Sequence, residues 1–144
     1  MEDAQIRHVQ GEQVSFKHLL WAGPLAAVSA AFANAVVYFV ASALGTMPQD
    51  FVVQGSGPIT LAPVVLSSLI GAAGAAVVFA IVALLARRPI RTFRIVAAVV
   101  LVLSFATPLA IPGAPLSLIL TLELMHVVAA VIIAGMLTTL ARAK

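Results

Sequence analysis

Four long apolar runs dominate this chain and constrain its fold more than any other feature. They are Leu19–Leu44, Ile59–Ala86, Ile95–Ile111 and Leu116–Leu140, and Glu123 is the only Asp, Glu, Lys or Arg in any of them. At about 1.5 Å of rise per helical residue, runs of this length cross about 30 Å of hydrocarbon, the third near the lower limit. Inside lipid only helices and closed barrels satisfy their own backbone, and these runs lack the alternation of barrel strands. The expected fold class is therefore all-α: an integral membrane four-helix antiparallel bundle. The chain is 62% hydrophobic and 9% charged. A soluble domain is about 45–50% apolar and about a quarter charged. This balance excludes an ordinary cytosolic enzyme, a nucleic-acid binder and a disordered tail. It makes the lipid bilayer the first partner.

The basic residues give the expected orientation. Arg7 and Lys17 precede the first run. Arg87, Arg88, Arg91 and Arg94 lie between the second and third, read as a short basic loop. Arg142 and Lys144 follow the fourth. These are all 8 Lys and Arg of the chain, and the other two connections hold none. The positive-inside rule then places both termini and the middle connection in the cytoplasm. The expected location is the inner (plasma) membrane, multi-pass. The arginine cluster sets topology and can meet anionic headgroups. Residues 1–15 read as a polar cytoplasmic tail, and residues 16–144 as one four-span membrane domain. Trp21 and Tyr38 sit near the two ends of the first run, as interfacial aromatics do.

Local signals refine the spans. Pro24 falls in the first turns of span one, where a missing N–H costs little. Pro108 inside span three should leave the Ser104 carbonyl without its partner and bend the helix. Ala41-Ser42-Ala43 has the small-x-small form of a signal peptidase site. The run before it exceeds the 7–15 residues of a signal h-region, so an uncleaved span is expected. Spans two and four both end in Leu-Ala-Arg, a weak trace of parallel duplication. Small residues mark packing faces. They are Ala27, Ala30, Ala31 and Asn34 in span one; Ser67, Gly71 and Ala75 with Gly74 in span two; and His126, Ala130 and Ala134 in span four. These stripes are expected to form the bundle interior.

Chemistry is sparse. With no cysteine, disulfides and thiolate metal sites are out of reach. Glu123 and His126, at i and i+3, share a helix face. Ionisable residues within spans usually face a bundle interior or a wet cavity. Counting rise from the span ends puts Glu123, Asn34, Ser67, Ser68 and Thr107 in one layer of the outer half, with His126 and Ser104 just below. That layer is expected to form a small polar pocket. Glu123 would act there as acceptor or proton-titrating group, and His126 as its partner or a ligand contact. Asn34, Ser67, Ser68 and Thr107 would form hydrogen-bonding walls. The plainer reading leaves Ser and Thr bonded to their own backbone and Asn34 as interhelical glue. Glu-x-x-His is a ligand motif of ferritin-like bundles, but such sites need two copies and further carboxylates. No metal, haem or other cofactor is therefore expected. Catalytic triads and phosphate-binding loops are absent, and the chain does not read as an enzyme.

Three groups of residues carry a resemblance. They are Gly23-Pro24-Leu25 with Asn34; Arg88-Pro89-Ile90-Arg91-Thr92-Phe93; and Leu124-Met125-His126 with Ala129-Ala130. In these the chain resembles a family of small four-span bacterial integral membrane proteins built on a domain of unknown function. The resemblance spans most of the chain beyond the tail. It implies four helices and an integral location, brings no activity or cofactor, and draws attention to Asn34 and His126. Two functions are carried forward. One is a polar binding or transport-type site in the outer half of the bundle, with a homo-oligomer expected because four spans alone make a narrow transporter. The other is an accessory or structural subunit of a larger membrane complex, with no site of its own.

Overall fold

The computed structural model describes residues 13–48, 50–53 and 57–143. Helix α1 spans Phe16–Ala43 and α2 spans Leu61–Leu85. Helix α3 covers Pro89–Ser104, and a single turn, α4, covers Ala106–Leu109. Helix α5 covers Leu116–Leu140. α1, α2, the α3–α4 segment and α5 are each long and apolar enough to cross a membrane. The chain is thus an all-α, multi-pass membrane protein. Its only other regular element among the described residues is a two-residue antiparallel ribbon, β1 (Val52–Val53) against β2 (Gly57–Pro58), in the α1–α2 connection.

Local chemistry explains the boundaries. The Ser15 hydroxyl accepts from the His18 N–H at 3.3 Å and caps α1. α1 therefore begins three residues earlier than expected, and Pro24 lies inside the helix rather than in its first turn. Pro89 occupies the first helical positions of α3, where its fixed φ suits the helix and no N–H is needed. Span three consequently starts at Pro89, not Ile95. Arg91 and Arg94 are helical, and only Arg87 and Arg88 remain in the turn. The Pro108 expectation is met, because the helix is interrupted at Phe105 between α3 and α4. Gly45 and Gly113, both at φ 71°, supply the left-handed residues that turn the chain after α1 and before α5.

Two buried clusters define the ends of the bundle. At one end Leu19, Phe79, Ile90, Phe93, Leu137 and Ala141 pack together with the small residues of α1. The rings of Phe79 and Phe93 lie 4.5 Å apart, centroid to centroid. At the other end Tyr38, Ala41, Met47, Val64, Leu118 and Met125 form a second cluster. The first and last described segments meet at the first end: the Ser15 N–H donates to the Ala141 carbonyl at 2.8 Å, and the Ala143 N–H to the Gln13 carbonyl at 2.8 Å. Residues 13–15 of the expected tail are thus tied to the C-terminus, and the remainder of the tail lies outside the described residues. Lys17, Arg142 and the four arginines after α2 share this basic end. Asp50 lies at the far end.

α1 makes the most extensive contacts, along both α2 and α5. Its buried face carries Ala22, Gly23, Ala26, Ala30 and Asn34. The small side chains let backbones approach, as membrane helices require when lipid and core are equally apolar. A Cβ added at Gly23 would sit 3.4 Å from the Ala76 Cβ. The outer faces carry large apolar residues such as Leu20, Phe32, Leu85 and Leu103, each more than 60% exposed. In water so continuous an apolar surface would aggregate; in a bilayer it meets acyl chains.

Candidate functional site

α3 is joined to α2 by a tight turn at the basic end and held there by the Phe79–Phe93 contact. Towards the far end, α2 and α3 leave a cleft of about 490 Å³ between themselves and α5. Its lining runs from Val64 to Val78 on α2, roughly 21 Å of helix length. Ser67, Gly71 and Gly74 on α2 and Val100 on α3 are exposed at its mouth. A Cβ added at Gly71 or Gly74 would meet nothing within 4 Å. The small-residue stripe of span two is therefore not a packed interior, as expected, but one wall of an opening. The stripe of span four, His126, Ala130 and Ala134, forms another wall.

The lining is polarised along its length. Towards the basic end it is Val78, Phe93, Val96, Ile133 and Ala134, all apolar. Towards the far end lie the polar residues Asn34, Ser67, Ser68, Ser104 and His126. Asn34 reaches the cleft from α1 and is 4% exposed. Its Nδ2 donates to the Ser68 Oγ at 3.0 Å, and that hydroxyl donates to the Val64 carbonyl at 2.9 Å. The Ser68 proton is thus engaged, so Ser68 can only accept from Asn34. The amide is oriented with Nδ2 towards Ser68. Asn34 Oδ1 is left buried with no hydrogen-bond partner. His126 Nδ1 lies 2.8 Å from the Leu122 carbonyl. A carbonyl cannot donate, so Nδ1 carries the hydrogen and Nε2 of the neutral ring is an acceptor.

The structure brings together three of the five residues that the sequence places in one layer, Asn34, Ser67 and Ser68, and with them His126 from just below it. It adds Ser104, which the sequence places just below that layer. Glu123 and Thr107 are not brought in. Glu123 lies on the flank that also carries Ala130 and Ala134, yet its side chain does not line the cleft. Both of its carboxyl oxygens are buried without a hydrogen-bond partner. Thr107 is exposed on the short α4 turn, displaced by the break at Phe105. The flank of Glu123 joins the cleft lining further along the helix, at Ala130 and Ala134, but at the level of Glu123 itself the lining is formed by Leu122, Met125 and His126.

Sequence reasoning missed Thr138, which is completely buried. Its Oγ1 accepts from Arg94 Nη2 at 3.2 Å and donates to the Ala134 carbonyl at 2.7 Å. Arg142 Nε donates to the Thr138 carbonyl at 3.0 Å. Thr138 thereby joins α3 and α5 at the basic end. The spacing Thr138–Arg142 at i,i+4 is the signal that could have found it. All four arginines of the cluster are exposed, and Arg94 makes a side-chain bond to another helix. Among the described residues, no three His, Cys, Asp or Glu side chains come together as a metal site would need.

A family model described as a family of unknown function (DUF6069) matches residues 15–143. No curated protein matches the chain, and no solved structure does.

Proposed function

The chain belongs to this family of unknown function, and from that premise we propose that it is a membrane-embedded binding protein of transport type. Its site is the cleft between α2, α3 and α5. The volume, about 490 Å³, falls within the roughly 300–1,000 Å³ of small-molecule sites. The ligand is lipophilic: its apolar part lies against Phe93 and Ile133, and its polar part meets Asn34 and His126 at the far end. The observation that carries this reading is the buried Asn34 Oδ1, left without a partner beside an opening. A buried acceptor without a bond costs about 1–3 kcal/mol, and a ligand that supplied one would recover it. The basic end faces the cytoplasm by the positive-inside rule, so the polar end of the cleft lies in the outer half of an inner membrane. Glu123 and Thr107 stand outside the binding set. The test is to fill the cleft: Ala97→Trp should deplete small lipophilic molecules that co-purify with the wild-type protein from its own membrane. Equal retention by both proteins would remove the cleft from consideration.

A second reading has its own observation. Ser67, Gly71 and Gly74 give the mouth a small-residue surface of the kind on which a partner's helix can seat. On that reading the chain is an accessory subunit of a larger membrane complex. Co-purification of a stoichiometric partner, lost in Gly74→Leu, would support it.

A further inference from the structure

Hydrogens in the polar part of the cleft are nearly all spent. The Ser67 and Ser68 hydroxyls both donate to the Val64 carbonyl, at 3.1 and 2.9 Å. Ser104 Oγ donates to the Leu101 carbonyl at 2.7 Å, and His126 Nδ1–H to the Leu122 carbonyl. Each of these protons goes back to the side chain's own helix, as hydroxyls in membrane helices commonly do. One amide hydrogen of Asn34 remains among these groups. Against it stand the free lone pairs of Asn34 Oδ1, His126 Nε2 and the serine oxygens. Acceptors therefore dominate the cleft, and the most deeply buried of them is unpartnered.

We infer, resting on the binding reading above, that the cleft selects lipophilic molecules whose polar head carries a hydrogen-bond donor, an aliphatic alcohol being the simplest. A hydroxyl both donates and accepts, so it can give its proton to Asn34 Oδ1 and take the spare amide hydrogen. Heads that only accept, such as ethers, esters and quinone carbonyls, set lone pair against lone pair and leave Oδ1 unpaired. The apolar walls beyond take the hydrocarbon tail. Selection thus rests on the polarity of one hydrogen bond, not on tail length or head charge.

The experiment uses the full chain in nanodiscs with two photoreactive probes, a diazirine-bearing dodecanol and its methyl ether, at equal membrane mole fraction. Labelled peptides are mapped by mass spectrometry. The alcohol should label α2, α3 and α5 cleft residues roughly tenfold more than the ether, the worth of one rescued buried acceptor. In Asn34→Leu the two probes should label alike. The wild-type comparison needs no variant to fold. If the ether labels the cleft as strongly as the alcohol, the donor requirement is wrong while the binding reading stands. If neither probe labels the cleft above the lipid-facing surface around Phe32, both fail. With no native cysteine, Gly74→Cys also reports on a second copy. A disulfide dimer that excludes the alcohol would put another helix in the cleft and overturn the inference.

Discussion

Asn34 separates a binding residue from a structural one through the sign of its contribution to stability. Within the bundle it makes one interhelical bond, to Ser68 at 3.0 Å, and carries one orphaned oxygen. Interhelical bonds in membrane bundles average about 0.6 kcal/mol and reach about 2. An orphaned buried acceptor costs about 1–3 kcal/mol. Asn34→Leu removes both and keeps similar bulk, with the neighbouring cleft to take any excess. It should leave stability unchanged or raise it by up to about 2 kcal/mol. Ser68→Ala does the opposite, stripping the amide of its partner while the orphan stays, and should destabilise by about 1–2 kcal/mol. In the double variant the serine loss should matter little, because without the amide Ser68 only bonds its own helix at Val64. The assay is equilibrium unfolding of delipidated protein in mixed micelles, followed by circular dichroism. A loss of more than about 1 kcal/mol in Asn34→Leu, matched by Ser68→Ala, would show that the bond outweighs the orphan and that Asn34 is glue.

Four further outcomes are expected. Phe79→Ala should destabilise by about 2 kcal/mol in the same unfolding assay; lipid removes most of the transfer cost, and the cavity term of about 24 cal/mol per Å³ remains. Thr138→Val should cost about 1 kcal/mol there, since Arg94 loses its acceptor on α5. Single-cysteine labelling with a membrane-impermeant maleimide should mark Asp50→Cys from outside intact cells and Arg87→Cys only after permeabilisation. Glu123→Gln should leave dodecanol labelling unchanged, because the carboxyl does not line the cleft; a loss would return Glu123 to the site.

Elements specified by local composition were legible in the sequence. Hydropathy found all four spans, and α5 matches its expected limits, Leu116–Leu140, because Pro115 and the terminal basic residues punctuate it. The start of α3 was misplaced because Arg91 and Arg94 read as loop charges, whereas Pro89 at the first helical positions marks the true beginning. Asn34, Ser67 and Ser68 were found as a layer, with His126 just below, because rise per residue fixes depth. Glu123 and Thr107 share that depth, but depth does not fix direction, and whether a side chain faces an opening depends on where its helix axis lies. The cleft itself was invisible. A stripe such as Ser67, Gly71 and Ala75 permits close packing, yet it equally lines a gap when the neighbouring helix leans away. That choice is made by tertiary contacts such as Phe79 on Phe93, not by the stripe.

A crystal structure grown from a lipidic mesophase tests the central claim most directly. It should show α2 and α3 apart beyond Phe93, with electron density of an elongated molecule ending within hydrogen-bond distance of Asn34 Oδ1. A bundle with Gly71 and Gly74 closed against α3, and Asn34 Oδ1 bonded to a donor of the protein itself, would contradict it.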